Sequence, residues 1–238
     1  IGLHSKTIDW CRSYLSERTF GVKVDDIVSN PRRAPSGVSQ GETLSPLLYV
    51  IFVLDIGTYI PTDIRYLLYA DDIKIYGPAG TSEERQSLQA GIDGVVKWCA
   101  DNQMQLSTPK CVVLSKFADV ANTTYTIADV PLPVVRSVRD LGVTVSADLN
   151  FSEHILNVVG SARSLVNCIF RCFVIKSPEP YLRLYNSLVI PKLLYCGPVW
   201  IPHRSYLVKS IESVDKLFLR RLRWRCSIQP GSERILLT

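Results

Sequence analysis

Two short β-rich runs with almost no chain between them constrain the fold of this sequence more than any other feature. The runs cover 64–69 and 73–76, and only Ala70, Asp71 and Asp72 separate them. Strands this close along the chain pair as a hairpin, which places the two carboxylates at its tip. Carboxylates are good ligands for Mg²⁺, although a two-metal site needs a third one from another strand. The tip is therefore either part of a magnesium site or an ordinary solvated Asp-Asp turn.

A glycine-rich loop precedes the hairpin and leads into a helix. The loop consists of Ser36, Gly37, Val38, Ser39, Gln40 and Gly41. Its glycines allow a nucleotide or template strand to approach the backbone closely, and Gln40 offers both a donor and an acceptor. A hydroxyl cap and a first-turn proline, Pro46, predict a helix that continues to about Tyr59. An ordinary glycine loop before a capped helix fits the same pattern.

Composition excludes several classes of protein. The 238 residues are 47% hydrophobic and 21% charged, which is typical of a globular chain and not of a disordered or fibrous one. The longest clean apolar run, 47–54, is far shorter than the roughly 20 residues of a membrane helix. Seven cysteines without a Cys-x-x-Cys pair, and no early signal segment, favour reduced thiols. We therefore expect an intracellular protein with no membrane segment.

Positive charge is concentrated towards the C-terminal end. The net charge is only +5, but residues 203–225 contain seven basic side chains against two acidic ones. Apolar residues recur there at helical spacing, which predicts an amphipathic helix over 205–225 with its arginines away from the buried stripe. Arg220, Arg221 and Arg223 are thus candidates to contact nucleic-acid phosphates, and a solvated basic face is the alternative.

The pattern of predicted elements changes near residue 147. Up to that point helices mix with short strands, including predicted strands over 19–24 and 141–145. Beyond it, the apolar spacing predicts helices alone. The sequence therefore predicts an α+β domain over 1–146 followed by a helical domain over 147–238.

Four short motifs occur in a fixed order along the chain. They are Ser-Gly-x-x-Gln-Gly at 36–41, Leu-x-Pro-Leu-Leu at 44–48, Tyr-Ala-Asp-Asp at 69–72, and Asp-Leu-Gly-Val at 140–143 with Leu-Asn-Phe-Ser-Glu-His at 149–154. An amphipathic helix and Lys110 lie between the last two. In this order the motifs resemble reverse transcriptases of non-long-terminal-repeat (LINE-like) retrotransposons.

The resemblance implies a fold and a reaction. The fold is a right-hand polymerase, with an incomplete palm of antiparallel sheet and packed helices over 1–146 and an α-helical thumb with a basic last helix over 147–238. The reaction is RNA-directed DNA synthesis: Mg²⁺, or alternatively Mn²⁺, assists transfer of deoxynucleotides from their triphosphates to the 3′ hydroxyl of a DNA primer on an RNA template. Such a polymerase would act as a ribonucleoprotein in the nucleus and cytoplasm.

The resemblance also implies roles for single residues. Asp71 and Asp72 would bind the metal, and Tyr69 and Ala70 would lie against the primer end. The incoming nucleotide and template would be bordered by Ser36, Gly37, Gln40 and Gly41. Lys110 would protonate the departing pyrophosphate, and residues 141–152 would form the primer grip.

The chain departs from the family pattern in two ways. Ser39, Glu42 and Ser45 stand where the family usually has proline, a hydroxyl residue and glycine. The family's other metal-binding aspartate lies on a strand upstream of the segment that 13–18 resembles, and Asp9, in a predicted helix, does not match it, so we expect an N-terminally truncated fragment. The alternatives are a catalytically incomplete palm and thumb fragment that only binds nucleic acid, or another reverse transcriptase class such as an intron maturase. The oligomeric state is not predicted.

Overall fold

Two units, each with its own apolar core, make up the chain in the computed structural model, which describes residues 2, 4–116 and 124–228. Unit 1 comprises 1–107 and 126–130, and unit 2 comprises 108–125 and 131–238. These units do not follow the predicted division at 146 and 147, because 131–146 belongs to unit 2, where Val143 and Val145 pack in the core formed by the helices. The assignment of a palm and a thumb remains a prediction.

Helices form about half of the described residues. The α-helices are α1 (Ser5–Leu15), α2 (Ser45–Val53), α3 (Ser82–Asp101), α4 (Ser152–Cys172), α5 (Glu179–Leu184), α6 (Ile190–Leu194), α7 (Gly197–Trp200) and α8 (Ser205–Cys226). The described residues also include 3₁₀ turns over Leu54–Tyr59 and Thr108–Lys110, and a π-helical turn over Tyr185–Val189 joins α5 to α6. Among the described residues, no helix has the length and apolar character needed to cross a membrane.

The strands form pairs and not one continuous sheet in the described part of the chain. They are β1 (Thr19–Phe20), β2 (Lys23–Val24), β3 (Ile27–Val28), β4 (Arg32–Arg33), β5 (Arg65–Tyr69), β6 (Asp72–Tyr76), β7 (Val113–Leu114), β8 (Thr126–Ile127), β9 (Val130–Pro131), β10 (Val134–Val135), β11 (Ser137–Asp140) and β12 (Val143–Ser146). The pairs β1–β4, β2–β3, β5–β6 and β11–β12 are antiparallel, whereas β7 and β10 run parallel. The mixed α and β composition is confirmed, in the form of small ladders.

The core of unit 1 lies between α3 and the hairpin β5–β6. Helix α3 begins with a capping box, in which the Thr81 hydroxyl accepts the N–H of Glu84 and the Glu84 carboxylate accepts the N–H of Thr81. It buries Val95 and Trp98, against which the hairpin packs Tyr66, Ile73 and other apolar side chains. The predicted acidic hairpin is thus attached to a long, well-capped helix.

A close approach of α3 to the 3₁₀ turn gives a testable prediction. A Cβ atom at Gly94 would lie 2.0 Å from the carbonyl oxygen of Tyr59, and backbone cannot move aside cheaply. We expect Gly94→Ala to lower the free energy of unfolding by roughly 1–3 kcal/mol. Gly160→Ala in α4, where a Cβ would meet no heavy atom within 4 Å, is the matched control and should raise stability by about 0.5–1 kcal/mol. Thermal unfolding of both variants decides the point, and equal effects would contradict the predicted clash.

The core of unit 2 lies between α4 and α8. Both helices are amphipathic, and their buried stripes include Val159 and Val166 on α4 and Val214 and Phe218 on α8. At the end of α4, the Arg225 guanidinium donates to the carbonyl oxygens of Phe170 and Phe173, at 2.9 and 3.1 Å, and the second of these also accepts the Tyr181 hydroxyl at 2.8 Å. The predicted amphipathic helix over 205–225 is confirmed as α8, with bounds within one residue of those expected.

The predicted strand over 141–145 is partly wrong. Leu141 and Gly142 form the turn between β11 and β12, and both have positive φ, 44° and 87°. A positive φ is energetically costly for leucine, so the sequence predicts an extended strand at this position and not a turn. Tyr195 stabilises the turn: its hydroxyl donates to the carbonyl oxygen of Leu141 at 2.9 Å, and its ring covers Gly142.

Two further local predictions are corrected. The expected strand over 19–24 is interrupted after Phe20, because β1 pairs with β4 while β2 pairs with β3. The expected hydroxyl cap of α2 is absent, since Leu44 is the N-cap residue and makes no side-chain capping bond. Ser45 instead lies buried in the first turn and donates to the carbonyl oxygen of Ser39 at 2.5 Å.

Candidate active site

The acidic tip of β5–β6 is a two-residue turn. Tyr69 pairs with Asp72, so Ala70 and Asp71 are the central residues and Asp72 begins β6. Ala70 has a φ of 50°, and a positive φ at the first central residue alone is characteristic of type II′ hairpin turns. The predicted hairpin is confirmed, with a turn one residue shorter than expected. Both carboxylates are exposed.

The two faces of the hairpin differ in burial. Residues directly opposite each other share a face, so Asp72 lies on the same face as Tyr69 and Leu67. That face is open, with Tyr69 63% and Leu67 56% exposed. The other face carries Tyr66, Ile73 and Ile75 against the core of unit 1. The hairpin therefore presents Tyr69 and Asp72 to solvent together while its other face packs against the core of unit 1.

Asp71 lies beside the helix that follows the glycine loop. Burial and, to a smaller extent, the charge of Asp71 raise the pKa of the Tyr49 hydroxyl above its usual value. Tyr49 is on α2 and packs against the core of unit 1. The helix predicted from the glycine-loop motif and the acidic turn are thus brought together, as a shared site requires.

A third carboxylate is not found near the pair. Within residues 4–116 and 124–228, no three histidine, cysteine, aspartate or glutamate side chains cluster so that they could hold a metal ion. Asp55, on the 3₁₀ turn after α2, accepts the indole N–H of buried Trp98 at 2.8 Å and so has a structural role. The carboxylate donors at the hairpin tip are the four oxygens of Asp71 and Asp72.

The glycine loop is held by a side chain from the chain that precedes it. The Arg18 guanidinium donates to the carbonyl oxygens of Ser36 and Gly37 at 3.2 and 2.5 Å. Gly37 and Gly41 have φ values of 76° and 86°, and a Cβ at either position would meet nothing within 4 Å. The backbone conformation therefore explains both glycines, and their surroundings leave open space for a ligand. Gln40 is exposed between them.

The remaining candidate residues belong to unit 2. Lys110 ends the 3₁₀ turn Thr108–Lys110 and is exposed. Arg220, Arg221 and Arg223 lie in the last turns of α8, where Arg220 and Arg223 are exposed and Arg221 is half-buried. The helix that carries the three arginines is as predicted. The roles of these arginines and of Lys110 stay predictions.

Sequence reasoning missed two side chains that shape the site. The sequence alone assigns no role to Arg18, and its bonds to the glycine loop connect residues 18 and 19 positions apart. Tyr49 is one of several apolar and aromatic residues of α2 and carries no distinguishing signal. Both contacts depend on tertiary structure.

Comparison with known proteins places the chain in a family. A sequence model described as "Reverse transcriptase (RNA-dependent DNA polymerase)" matches residues 2–145, which is more than half of the chain. The chain belongs to the reverse transcriptase family.

The relatives that it matches come from mobile elements. It is 30% identical over 230 residues to the RNA-directed DNA polymerase from mobile element jockey of Drosophila melanogaster, covering 89% of this chain and 24% of that protein. It is 31% identical over 155 residues to the probable RNA-directed DNA polymerase from transposon BS of the same species, covering 60% of this chain and 17% of that protein. A putative 115 kDa protein in type-1 retrotransposable element R1DM is 28% identical over 190 residues, covering 77% and 19%.

These relatives confirm the resemblance to polymerases of non-long-terminal-repeat retrotransposons. The chain spans about a quarter or less of the length of the three relatives.

Proposed function

We propose that this chain is part of the RNA-directed DNA polymerase of a non-long-terminal-repeat retrotransposon. The protein containing it would add deoxynucleotides from their triphosphates to the 3′ hydroxyl of a DNA primer on an RNA template. The observation that carries the proposal is the core-packed hairpin displaying Asp71 and Asp72 inside the segment matched by the family. In the described residues neither carboxylate has a hydrogen bond or an ion pair, so both are available to a ligand.

Reverse transcriptases use divalent metal ions, and the residues at the tip fit one. Their exposed carboxylate oxygens are hard donors of the kind that Mg²⁺ binds through one or two protein carboxylates, with water and substrate phosphate completing its shell. We assign Mg²⁺, with Mn²⁺ as an alternative, to Asp71 and Asp72. When bound, the ion would polarise the phosphate and favour attack by the primer hydroxyl. The pair alone does not provide the third carboxylate expected for two ions.

The chain's own residues would position the two substrates. Tyr69 presents a 63% exposed ring on the same face as Asp72, where it can pack against the primer end, and Ala70 leaves room beside it. The open backbone around Gly37 and Gly41 would lie along the nucleotide and template, with Ser36 and Gln40 as polar contacts. The Arg18 bonds would hold that loop in one conformation before substrate binds.

Unit 2 would supply the other contacts. We propose that Lys110 donates a proton to departing pyrophosphate, and that residues 141–152 grip the primer with their turn fixed by Tyr195. The arginines Arg220, Arg221 and Arg223 would contact template or primer phosphates. In functional terms, 1–146 would be palm and 147–238 thumb.

The rival proposal is a module that binds nucleic acid without catalysis. It is favoured by one observation, the lack of a third carboxylate near the acidic pair in the described residues. Two divalent ions a few ångströms apart repel strongly and need several carboxylates to coexist.

An extension assay tests both proposals. The 238-residue chain and a full-length polymerase containing it would be compared on an oligonucleotide-primed RNA template with Mg²⁺ and with Mn²⁺. We expect the full-length protein to extend the primer and the 238-residue chain to bind weakly without extending it. Binding without extension by both proteins would favour the binding module. Extension by the chain alone that Asp71→Asn removes would mean that a third carboxylate had been overlooked.

A further inference from the structure

A polar groove on unit 2 lies where α4 and α8 meet. Its volume is about 480 Å³, and its lining residues are Ser164, Asn167, Cys168, Arg171 and Arg221. The first four come from α4, and Arg221 comes from α8. The groove therefore combines two guanidinium groups, from different helices, with an amide.

The two arginines of the groove differ from other arginines on the same helices. Arg163 of α4 donates to the hydroxyl of Ser213 at 2.6 Å, and Arg225 of α8 donates to helix carbonyls. By contrast, neither Arg171 nor Arg221 has a hydrogen bond or an ion pair within the described residues. Two unpaired guanidinium groups beside one groove repel each other, and an anion between them would relieve that repulsion.

The donor set selects a phosphate over other ligands. Each guanidinium offers a planar fork of N–H donors that matches the oxygens of a phosphate, and the Asn167 amide adds further donors. The Ser164 hydroxyl donates to the carbonyl oxygen of Gly160 within α4, so it is left as an acceptor. Two positive charges disfavour a cation, and the guanidinium and amide donors favour a ligand with charged oxygens.

The groove also separates Arg221 from the other arginines of α8. Successive helical residues are about 100° apart around the axis, so Arg220 and Arg223 point away from the direction of Arg221. Only Arg221 lines the groove, together with Arg171, to which sequence reasoning gave no role. The three arginines of the predicted basic face therefore do not act as one surface.

We propose that Arg171 and Arg221 form a binding site for a backbone phosphate of a nucleic-acid strand. The phosphate chemistry follows from the groove alone, and the choice of a strand as its source rests on the proposed polymerase function. Inorganic phosphate and pyrophosphate carry the same chemistry and are the competing source.

Cys168 offers a direct reporter of occupancy, since its exposed thiol lines the groove. Trypsin places Cys168 on the peptide 164–171 and Cys172 on 172–176, so their alkylation by N-ethylmaleimide can be followed separately by mass spectrometry. A 20-nucleotide single strand should slow alkylation of Cys168 several-fold in the 238-residue chain. Inorganic phosphate and pyrophosphate at millimolar concentration should have little effect.

Three variants test the arginines. Arg221→Gln should abolish the protection of Cys168 and reduce the slope of log affinity against log salt by about 0.7, the value for one lost single-strand phosphate contact. Arg171→Lys keeps the charge and the trypsin site but loses the fork, and should weaken binding. Lys209→Gln removes an equal charge about 18 Å along α8 and should leave the protection intact.

The outcomes distinguish this site from the polymerase function. Protection by inorganic phosphate as strong as that by the strand would overturn the strand as the ligand. The absence of protection by either, or equal loss of protection with Lys209→Gln, would overturn the site itself. None of these measurements requires primer extension, so an inactive polymerase leaves the result readable.

Discussion

Primer extension by a full-length polymerase containing this chain is expected to fall about a thousandfold when Asp71 is replaced by Asn. The substitution keeps the size of the side chain but removes the charge that would hold a divalent ion at the hairpin tip. Transition-state stabilisation by such an ion amounts to several kcal/mol, and roughly 4 kcal/mol corresponds to a thousandfold in rate. Single-turnover extension on a primed RNA template measures the loss.

Folding should be unaffected by the same change. Asp71 is exposed in the turn, and surface substitutions of this kind alter stability by no more than about 0.5 kcal/mol. Asp129→Asn is the matched control, because Asp129 is also an exposed turn acid, and asparagine tolerates its φ of 64°. We expect normal extension and normal melting for the control. Near-normal extension by Asp71→Asn would show that the hairpin is not part of the active site.

The parts of the fold that could be predicted from the sequence are those fixed by local chemistry. The hairpin β5–β6 follows from two β-rich runs joined by too few residues for any other connection. The start of α3 follows from Thr81 and Glu84, which satisfy each other's backbone N–H groups. Helices α4 and α8 follow from an apolar stripe sustained over five turns or more. In each case the interacting residues are close in sequence.

Predictions failed where the pairing partner is distant or the backbone is unusual. Phe20 and Val24 alternate like one strand, but their partners lie on β4 and β3, and Gly21 between them is only a weak local signal for the break. Leu141 looks like a strand residue, and it adopts positive φ because Tyr195, 54 residues later, holds its carbonyl oxygen. Such contacts override local propensity and leave no pattern in a single sequence.

In the candidate site, too, the local segments could be predicted and the contacts between distant segments could not. The motif order predicted the acidic turn and the glycine loop, because each is a short continuous segment. It did not predict that the Tyr49 hydroxyl, whose pKa is raised first by burial and then by the charge of Asp71, belongs to the surroundings of the acidic turn, nor that Arg171 and Arg221 line one groove. These neighbours come from different helices or from a helix and a turn, and their proximity depends on how those elements pack.

The buried side chain of Phe218 should contribute more to the stability of unit 2 than an exposed aromatic side chain of the same helix. Phe218 of α8 is fully buried, with its ring stacked on that of Tyr185 at 4.0 Å between centroids and tilted against that of Phe170 at 5.6 Å. Truncating it to alanine removes both contacts and leaves a cavity between α4 and α8. We expect Phe218→Ala to lower the free energy of unfolding of unit 2 by about 3–5 kcal/mol.

Trp224→Ala provides the matched control on the same helix. The Trp224 ring is 80% exposed, so its loss should cost less than about 1 kcal/mol even though the side chain is larger. Hydrogen exchange of the α4 and α8 amides measures both variants within unit 2 and does not depend on a single unfolding transition for the whole chain. Because small domains are stable by only about 5–15 kcal/mol, Phe218→Ala should expose these amides to rapid exchange. Equal protection in the two variants would mean that α4 and α8 are not held together by this aromatic cluster.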